Sequence, residues 1–528
     1  MPAALRRAAE QHGDTDAIAD YATTPDDPGS VHITYRELAE QAEQVTRALI
    51  AAGIETGDTV AIWGHNIREW VVAATGIHGA GGVVVPLNTR FKGFEAYDVL
   101  TRSHAKLLFT VEEFLGNRYL DMLAEEADGR PLPPIVLLRG AAVDGTMAWA
   151  DFLASGAGVA PEDAQARAAS VAPTDLSDIL FTSGTTGRSK GVMVTHEQTT
   201  RVFTTWANTV GLEAGDRMLL VNPFFHSFGY KAGICACILV GVTIVPEPAF
   251  DVDRVLARIE SERITAFPGP PTVYLSILNH PDRSRHDLSS LRLAVTGAAA
   301  VPVEMIERMR NELNFETILT AYGLTESTGT ITICRPDDDA ETISHTSGRA
   351  IEGVEVRIVD NDGAEVPPGD PGEIVCRGYN VMVGYLDNPE ATAEAIDADG
   401  WLHTGDIGVM DERGYVQITD RTKDMFIIGG NNAYPAEIEN FLLGHPGIAQ
   451  AAVVGMADER MGEVGVAFVI PRAGATLDPD EVIAWSRQKM ANYKVPRQVI
   501  VVDSLPTNPS GKILKFELRD RLTGIDRP

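Results

Sequence analysis

Cysteine is scarce, and that scarcity excludes two classes of protein at once. The chain has Cys235, Cys237, Cys334 and Cys376. They are too few for a disulfide scaffold, and none falls in a zinc spacing, so reduced core thiols are expected. Positive charge is short as well: 44 Lys+Arg face 74 Asp+Glu, a formal net charge of −30. Such a field opposes binding to DNA or to an anionic membrane, and it makes any local cluster of cations more telling. Long apolar runs are missing too. The longest nearly apolar stretch, Ala232 to Pro246, is interrupted by Gly and Thr. It falls short of the about 20 residues that a bilayer crossing takes, so buried core is expected there. No internal repeat or low-complexity tract is present, which excludes repeat architectures. Met1-Pro-Ala-Ala-Leu-Arg-Arg7 leads into an amphipathic helix rather than a targeting leader, and a cytoplasmic location is the expectation.

What is present is a chain of 528 residues and 56.8 kDa, too long for one ordinary domain. Over residues 1–170, short apolar runs such as Thr59-Val-Ala-Ile-Trp63, Gly82-Val-Val-Val-Pro86 and Leu107-Leu-Phe-Thr110 alternate with amphipathic helical patterns. Thr34-x-x-Glu37 and Thr195-x-x-Gln198 are capping boxes that start helices. The alternation predicts a parallel sheet covered on both faces. It continues through Met218 to Val221, Leu239 to Val245, Leu293 to Gly297 and Thr317 to Ala321 as strands, with a helix from Val303. In open α/β sheets the ligand lies beyond the carboxyl ends of the strands, so the loops after Val295 and Ala321 are candidate site walls. From about Ser347 the texture changes: Val354-Glu-Val-Arg-Ile-Val359 alternates strictly, and Pro/Gly-rich strands follow. That pattern predicts a small antiparallel β unit. A further boundary is expected near Asp420, giving domains 1–420 and 421–528.

The stretch around which the rest is organised is Phe181-Thr-Ser-Gly-Thr-Thr-Gly-Arg-Ser-Lys-Gly191. Its glycines and hydroxyls disfavour helix and strand alike, but together they suit an anion. Backbone N–H groups can approach closely, hydroxyls donate, and Lys190 adds a point charge. A Walker loop needs Gly before the lysine and Ser or Thr after it; here Ser189 precedes and Gly191 follows. The flanks predict a strand–loop–strand polyphosphate clamp.

Thr182-Ser-Gly-Thr-Thr-Gly-Arg-Ser-Lys-Gly191 resembles the AMP-binding signature of the adenylate-forming superfamily, with Ser189 where proline is usual. Five more stretches resemble the family's motifs, in the family's order: Pro223-Phe-Phe-His226, Ala321-Tyr-Gly-Leu-Thr-Glu-Ser327, Trp401-Leu-His-Thr-Gly-Asp406, Asp420-Arg-Thr-Lys-Asp424 and Pro506-Thr-Asn-Pro-Ser-Gly-Lys-Ile513. The resemblance implies an α/β fold with a large N-terminal domain of two α/β sheets plus a small β barrel, and a mobile α+β C-terminal lid. It also implies roles. Thr182, Ser183, Gly184, Thr185, Thr186, Gly187 and Lys190 would cradle ATP, with Gly297, Gly323 and Thr325 also at the nucleotide. Tyr322 would line the adenine pocket, Asp406 hold the ribose, and Arg421 contact the nucleotide. Glu326, with Thr182, would hold Mg²⁺, a cation that prefers oxygen. His226 would border the carboxylate pocket, Lys423 act as the hinge pivot, and Lys512 serve as the adenylation lysine.

The implied activity is a two-step ligation. A carboxylate attacks the α-phosphorus of ATP to give an acyl-adenylate and pyrophosphate, and a thiol then displaces AMP. ATP, Mg²⁺ and CoA are the implied cofactors and co-substrates. The expected partners are these and a carboxylic acid, with no nucleic acid and no integral membrane association, and a homodimer as the assembly. Loading of a carrier protein, or a luciferase-like oxygenation, would use the same scaffold, but a carrier domain is not expected within these 528 residues. The acyl pocket is expected from Phe228, Tyr230, Lys231, Ala298 and Ala321. Small alanines leave width, and Phe228 and Tyr230 offer flat apolar faces. Lys231 is expected either to snorkel to solvent or to donate to a distal oxygen of the acid. Asn88-Thr-Arg-Phe-Lys-Gly-Phe-Glu-Ala96 resembles bacterial CoA ligases of the indane-propionate left by steroid ring degradation. A bulky alicyclic propionate is therefore expected, with a medium-chain fatty acid as the alternative.

Overall fold

The computed structural model describes residues 1–21, 30–182, 189–297, 301, 303–360, 362–421, 426–433, 435–472, 474–506 and 515–523. Two compact units emerge. The first holds Met1–Thr89, Val99–Leu180 and Gly191–Thr419; the second holds Asp420–Pro528 together with Arg90–Asp98 and Phe181–Lys190.

In the first unit, both capping boxes form. Thr34 accepts from the Glu37 amide and Glu37 reaches back to the Thr34 amide at the start of the helix Tyr35–Ala51. Thr195 and Gln198 do the same for His196–Val210. Each box satisfies amide donors that a helix start would otherwise leave unpaired. The helix Arg68–Gly79 packs closely on the first of these, because Gly76 and Gly79 lack side chains: a Cβ at Gly76 would lie 2.4 Å from Val45, and one at Gly79 2.3 Å from the Thr46 hydroxyl.

These helices cover two sheets. One runs in the order Gly384–Tyr385, Lys190–Thr195, Leu176–Thr182, Val83–Pro86, Thr59–Trp63, Leu107–Thr110, Ile135–Leu137, Thr146–Ala148; its central strands are parallel and mostly apolar, with Ser177 and Asp178 of Leu176–Thr182 as buried polar exceptions. The other joins Ser30–Thr34, Asp16–Tyr21, Thr243–Pro246 and Arg217–Leu220, then passes through parallel bridges at Ala266 to Leu293–Gly297 and Thr317–Tyr322. The expected strand from Leu239 is partly a helix, Ala236–Val240, which Gly241 ends at φ +92 before the strand Thr243–Pro246. A continuous apolar run does not distinguish buried helix from buried strand by periodicity. All four cysteines are buried free thiols, and burial pushes Cys235 and Cys376 up to about 12. The antiparallel β unit is present as Val354–Val359, Gly372–Gly378, Leu402–Met410 and Val416–Arg421.

The second unit is built on a sheet of Asn431–Ala433, Phe426–Ile428, Gly462–Pro471 and Ile448–Asp458, with Gln498–Val501 parallel to Gly462–Pro471. Strand alternation sorts its core. Ala451, Val453, Ala467 and Val469 face a cluster with Ile438, Leu442 and Val482, while Ala452, Val454, Val466 and Phe468 face Leu518 and Leu522. Lys494 is buried in this unit, held by Glu95 at 2.6 Å and Glu437 at 2.7 Å. The two carboxylates keep its pKa well above the ordinary lysine value against the opposing effect of burial. No helix among the described residues is long and apolar enough to cross a membrane.

Candidate active site

The strands Leu293–Gly297 and Thr317–Tyr322 run side by side, in parallel register from Leu293 opposite Thr317 to Gly297 opposite Ala321. Their carboxyl ends place Gly297, Ala321 and Tyr322 at one rim. Glycine is required at Gly297, where a Cβ would stand 2.8 Å from the Ala321 carbonyl oxygen, and at Gly323, where it would stand 2.4 Å from that of Gly329. Tyr322 is buried, and its hydroxyl donates to Asp406 Oδ2 at 2.7 Å. Asp406 is buried as well, its amide held by the Thr404 hydroxyl at 3.1 Å. Burial and the adjacent Asp406 carboxylate hold the Tyr322 phenol well above its ordinary pKa, so it stays a donor. Two residues far apart in sequence thus meet as a donor and a carboxylate of the kind that accepts ribose hydroxyls.

Glu326 lies in the 3₁₀ turn Thr325–Ser327 that follows the strand. Its carbonyl accepts from the Met382 amide at 2.9 Å, and Oε1 accepts from the Tyr385 hydroxyl at 2.9 Å. The carboxylate is half-exposed, which is compatible with a hard cation that seeks oxygen. Tyr385, on the strand Gly384–Tyr385, was not singled out by sequence. Its signal is weak, since a tyrosine just before a turn looks like any core aromatic.

His226 is exposed, and its Nδ1 accepts from the Phe228 amide at 3.2 Å. It precedes a π-helix, Phe228–Cys235, in which the Ala236 amide reaches back to the Lys231 carbonyl. Phe228 is half-buried, Tyr230 fully buried. Lys231 corrects an expectation. It does not snorkel to solvent: it is 0 % exposed, and its ammonium lies 2.9 Å from Asp178 Oδ1 and 3.1 Å from the Thr199 hydroxyl. An interior carboxylate opposite a lysine removes the cost that otherwise drives the ammonium outward.

In the second unit, Thr182 ends the strand Leu176–Thr182 and Lys190 begins Lys190–Thr195; both are half-buried. Ser183, Gly184, Thr185, Thr186 and Gly187 of the phosphate loop lie outside the described residues, as do Ala298, Lys423 and Lys512. Arg421 ends the strand Val416–Arg421.

Residues 5–386 match the AMP-binding enzyme family, and residues 437–512 its C-terminal domain. The chain is 50% identical over 523 residues, 98% of each chain, to a 7a-methyl-1,5-dioxo-octahydro-1H-inden-4-yl propanoyl:CoA ligase of Rhodococcus jostii. It is 50% identical over 526 residues, again 98% of each, to the Mycobacterium tuberculosis ligase of the same name. Among solved structures, an o-succinylbenzoate CoA synthetase double mutant from Bacillus subtilis, bound with its product analogue, superposes with a TM-score of 0.80 at 26% identity, covering 98% of both chains. With the strand-end rim, the Tyr322–Asp406 pair and these full-length similarities together, the chain belongs to the AMP-binding enzymes, the adenylate-forming family that its motifs resemble.

Proposed function

We propose that this acyl-CoA ligase activates a bulky alicyclic propionate carrying ring oxygens, of the steroid-derived indane class, in preference to a linear fatty acid. The observation that carries the reading is the 50% identity, over 98% of each chain, to two ligases named for such a propionate. Half-buried Phe228 is compatible with it, since a flat apolar face suits a rigid bicyclic acid better than a mobile chain.

ATP and CoA are the co-substrates of this ligase family. In the first step a carboxylate oxygen of the acid bonds to the α-phosphorus and pyrophosphate leaves. In the second the CoA thiol bonds to the acyl carbon and AMP leaves. Negative charge gathers on the phosphates in the first step, so positioned donors and cations supply most of the rate. By this reading Asp406 holds the ribose, Tyr322 lines the base, and Lys190 and Lys512 meet the phosphate charge. Glu326 would be an oxygen ligand of Mg²⁺, which supplies fixed positive charge beside ATP. His226 stands at the edge of the acid site.

The test is AMP release by the purified chain with MgATP and a panel of acids, with free CoA or a phosphopantetheinylated carrier protein as acceptor. The expected product is the CoA thioester of a bicyclic keto-propionate. Preferential use of octanoate or palmitate would overturn the substrate, and transfer to the carrier alone would overturn the acceptor.

A further inference from the structure

Lys231 is buried in a network that joins two elements. Its ammonium meets Asp178 Oδ1 at 2.9 Å and the Thr199 hydroxyl at 3.1 Å. Lys231, Asp178, Thr199 and Ser177 are each 0 % exposed. The Ser177 hydroxyl donates to Asp178 Oδ2 at 2.5 Å and meets Thr199 Oγ1 at 3.2 Å. One residue before Lys231, the Tyr230 hydroxyl meets His78 Nε2 at 2.9 Å, and that same nitrogen lies 3.2 Å from the Ser177 carbonyl oxygen. Consecutive residues of the strand Leu176–Thr182 are therefore tied to consecutive residues of the π-helix Phe228–Cys235: Ser177 to Tyr230 through His78, and Asp178 to Lys231 directly.

The location gives this network its meaning. The strand leads in sequence into Thr182 and the phosphate loop, and the π-helix carries Phe228 and Tyr230. A π-helix inserts one residue per turn and turns every later side chain to a new direction; such turns gather at functional sites. This one is packed without slack, since a Cβ at Gly229 would lie 2.2 Å from the Pro223 carbonyl oxygen and one at Gly233 2.8 Å from the Leu220 side chain. A buried ion pair contributes little net stability compared with an apolar pair of the same size, and its best-attested use is to fix one register among several. An apolar residue at 231 would fill the space and specify the register less.

We propose that the Lys231–Asp178 pair is a positioning device that fixes the π-helical register, and with it the face that half-buried Phe228 presents to the acid, relative to the strand that enters the phosphate loop; Tyr230 belongs to the anchor, its buried ring against Trp70 and its hydroxyl on His78. The proposal rests on the reading that Phe228 lines the acid site. It makes Lys231 a specificity residue that never touches the substrate.

The experiment removes both charges together, because Lys231→Met alone would strand a buried carboxylate. The double variant Lys231→Met/Asp178→Asn and the single variant Thr199→Val are compared with wild type by near-UV circular dichroism, thermal midpoint and steady-state kinetics. Each is assayed with the acid that wild type uses best. The folded double variant is expected to raise KM for the acid by about 10- to 100-fold, the cost of a small misplacement at a reacting centre, with KM for ATP unchanged. Thr199→Val, which keeps both charges, is expected to move the same KM in the same direction by a smaller factor. If the double variant does not fold, Thr199→Val decides by the same split. A folded variant with an unchanged acid KM, or with acid and ATP KM raised together, would overturn the proposal. A wild-type preference for a linear acid would overturn the substrate reading instead and leave the KM split to be read on that acid.

Discussion

At the residue scale, the site depends on side chains whose partners hold them ready. Tyr385 donates to Glu326 at 2.9 Å. Tyr385→Phe should leave the fold intact and raise the Mg²⁺ concentration for half-maximal adenylation by about tenfold, since a hydrogen bond to a charged group is worth roughly 1.5–3 kcal/mol; a Mg²⁺ titration of ATP–pyrophosphate exchange checks it. Lys512→Ala should depress adenylate formation by roughly 100–1,000-fold, the cost of one lost transition-state contact. Thioester formation from a supplied acyl-adenylate should survive, and single-turnover assays of the two half-reactions separate the effects. Tyr322, Glu326 and Asp406 were legible because each sits in a motif. Tyr385, Asp178 and Thr199 were not, because their importance comes from what they touch across the fold. Lys231 drew notice as an oddity, but its partner Asp178 lies 53 positions earlier in the chain, a separation no periodicity reports.

At the element scale, legibility followed the strength of the local signal. Thr34-x-x-Glu37 and Thr195-x-x-Gln198 start helices where their chemistry predicts, because a cap is satisfied within one turn. The parallel strands were visible as short apolar runs, and Thr59–Trp63 and Leu107–Thr110 fall where the sequence puts them. Asp16–Tyr21 and Ser30–Thr34 were not anticipated; they pair with each other, and the first also with Thr243–Pro246, a partner remote in sequence. The π-helix was hidden as well, since its extra residue is fixed by tertiary packing rather than by a repeating pattern. Gly229→Ala tests that packing. With a Cβ 2.2 Å from the Pro223 carbonyl and 2.4 Å from that of Asn222, the turn must shift, at an overpacking cost of roughly 1–3 kcal/mol. A lowered thermal midpoint and a raised KM for the acid are expected.

At the scale of the whole molecule, buried histidines make stability depend on pH. Burial lowers His78 from 6.5 to about 3, helped by the nearby chain-terminal amine and then by the Lys231 charge, and lowers His65 from 6.5 to about 4. Both are neutral in the folded chain at pH 7, and in the unfolded chain they take up protons near 6.5. Their contribution is therefore complete above that value and is lost as pH falls toward the folded values, at about 1.4 kcal/mol per pH unit for each proton. Urea denaturation at a series of pH values should show this loss, and His78→Gln should reduce the slope by about one proton. The chain-wide likeness to propanoyl:CoA ligases raises the remaining question of which acid the site selects. The most direct measurement is a competition in which equal concentrations of a bicyclic keto-propionate, octanoate and palmitate share limiting ATP and CoA, with the thioesters quantified by mass spectrometry. Predominance of the bicyclic thioester is predicted; predominance of either linear thioester would contradict the proposed function.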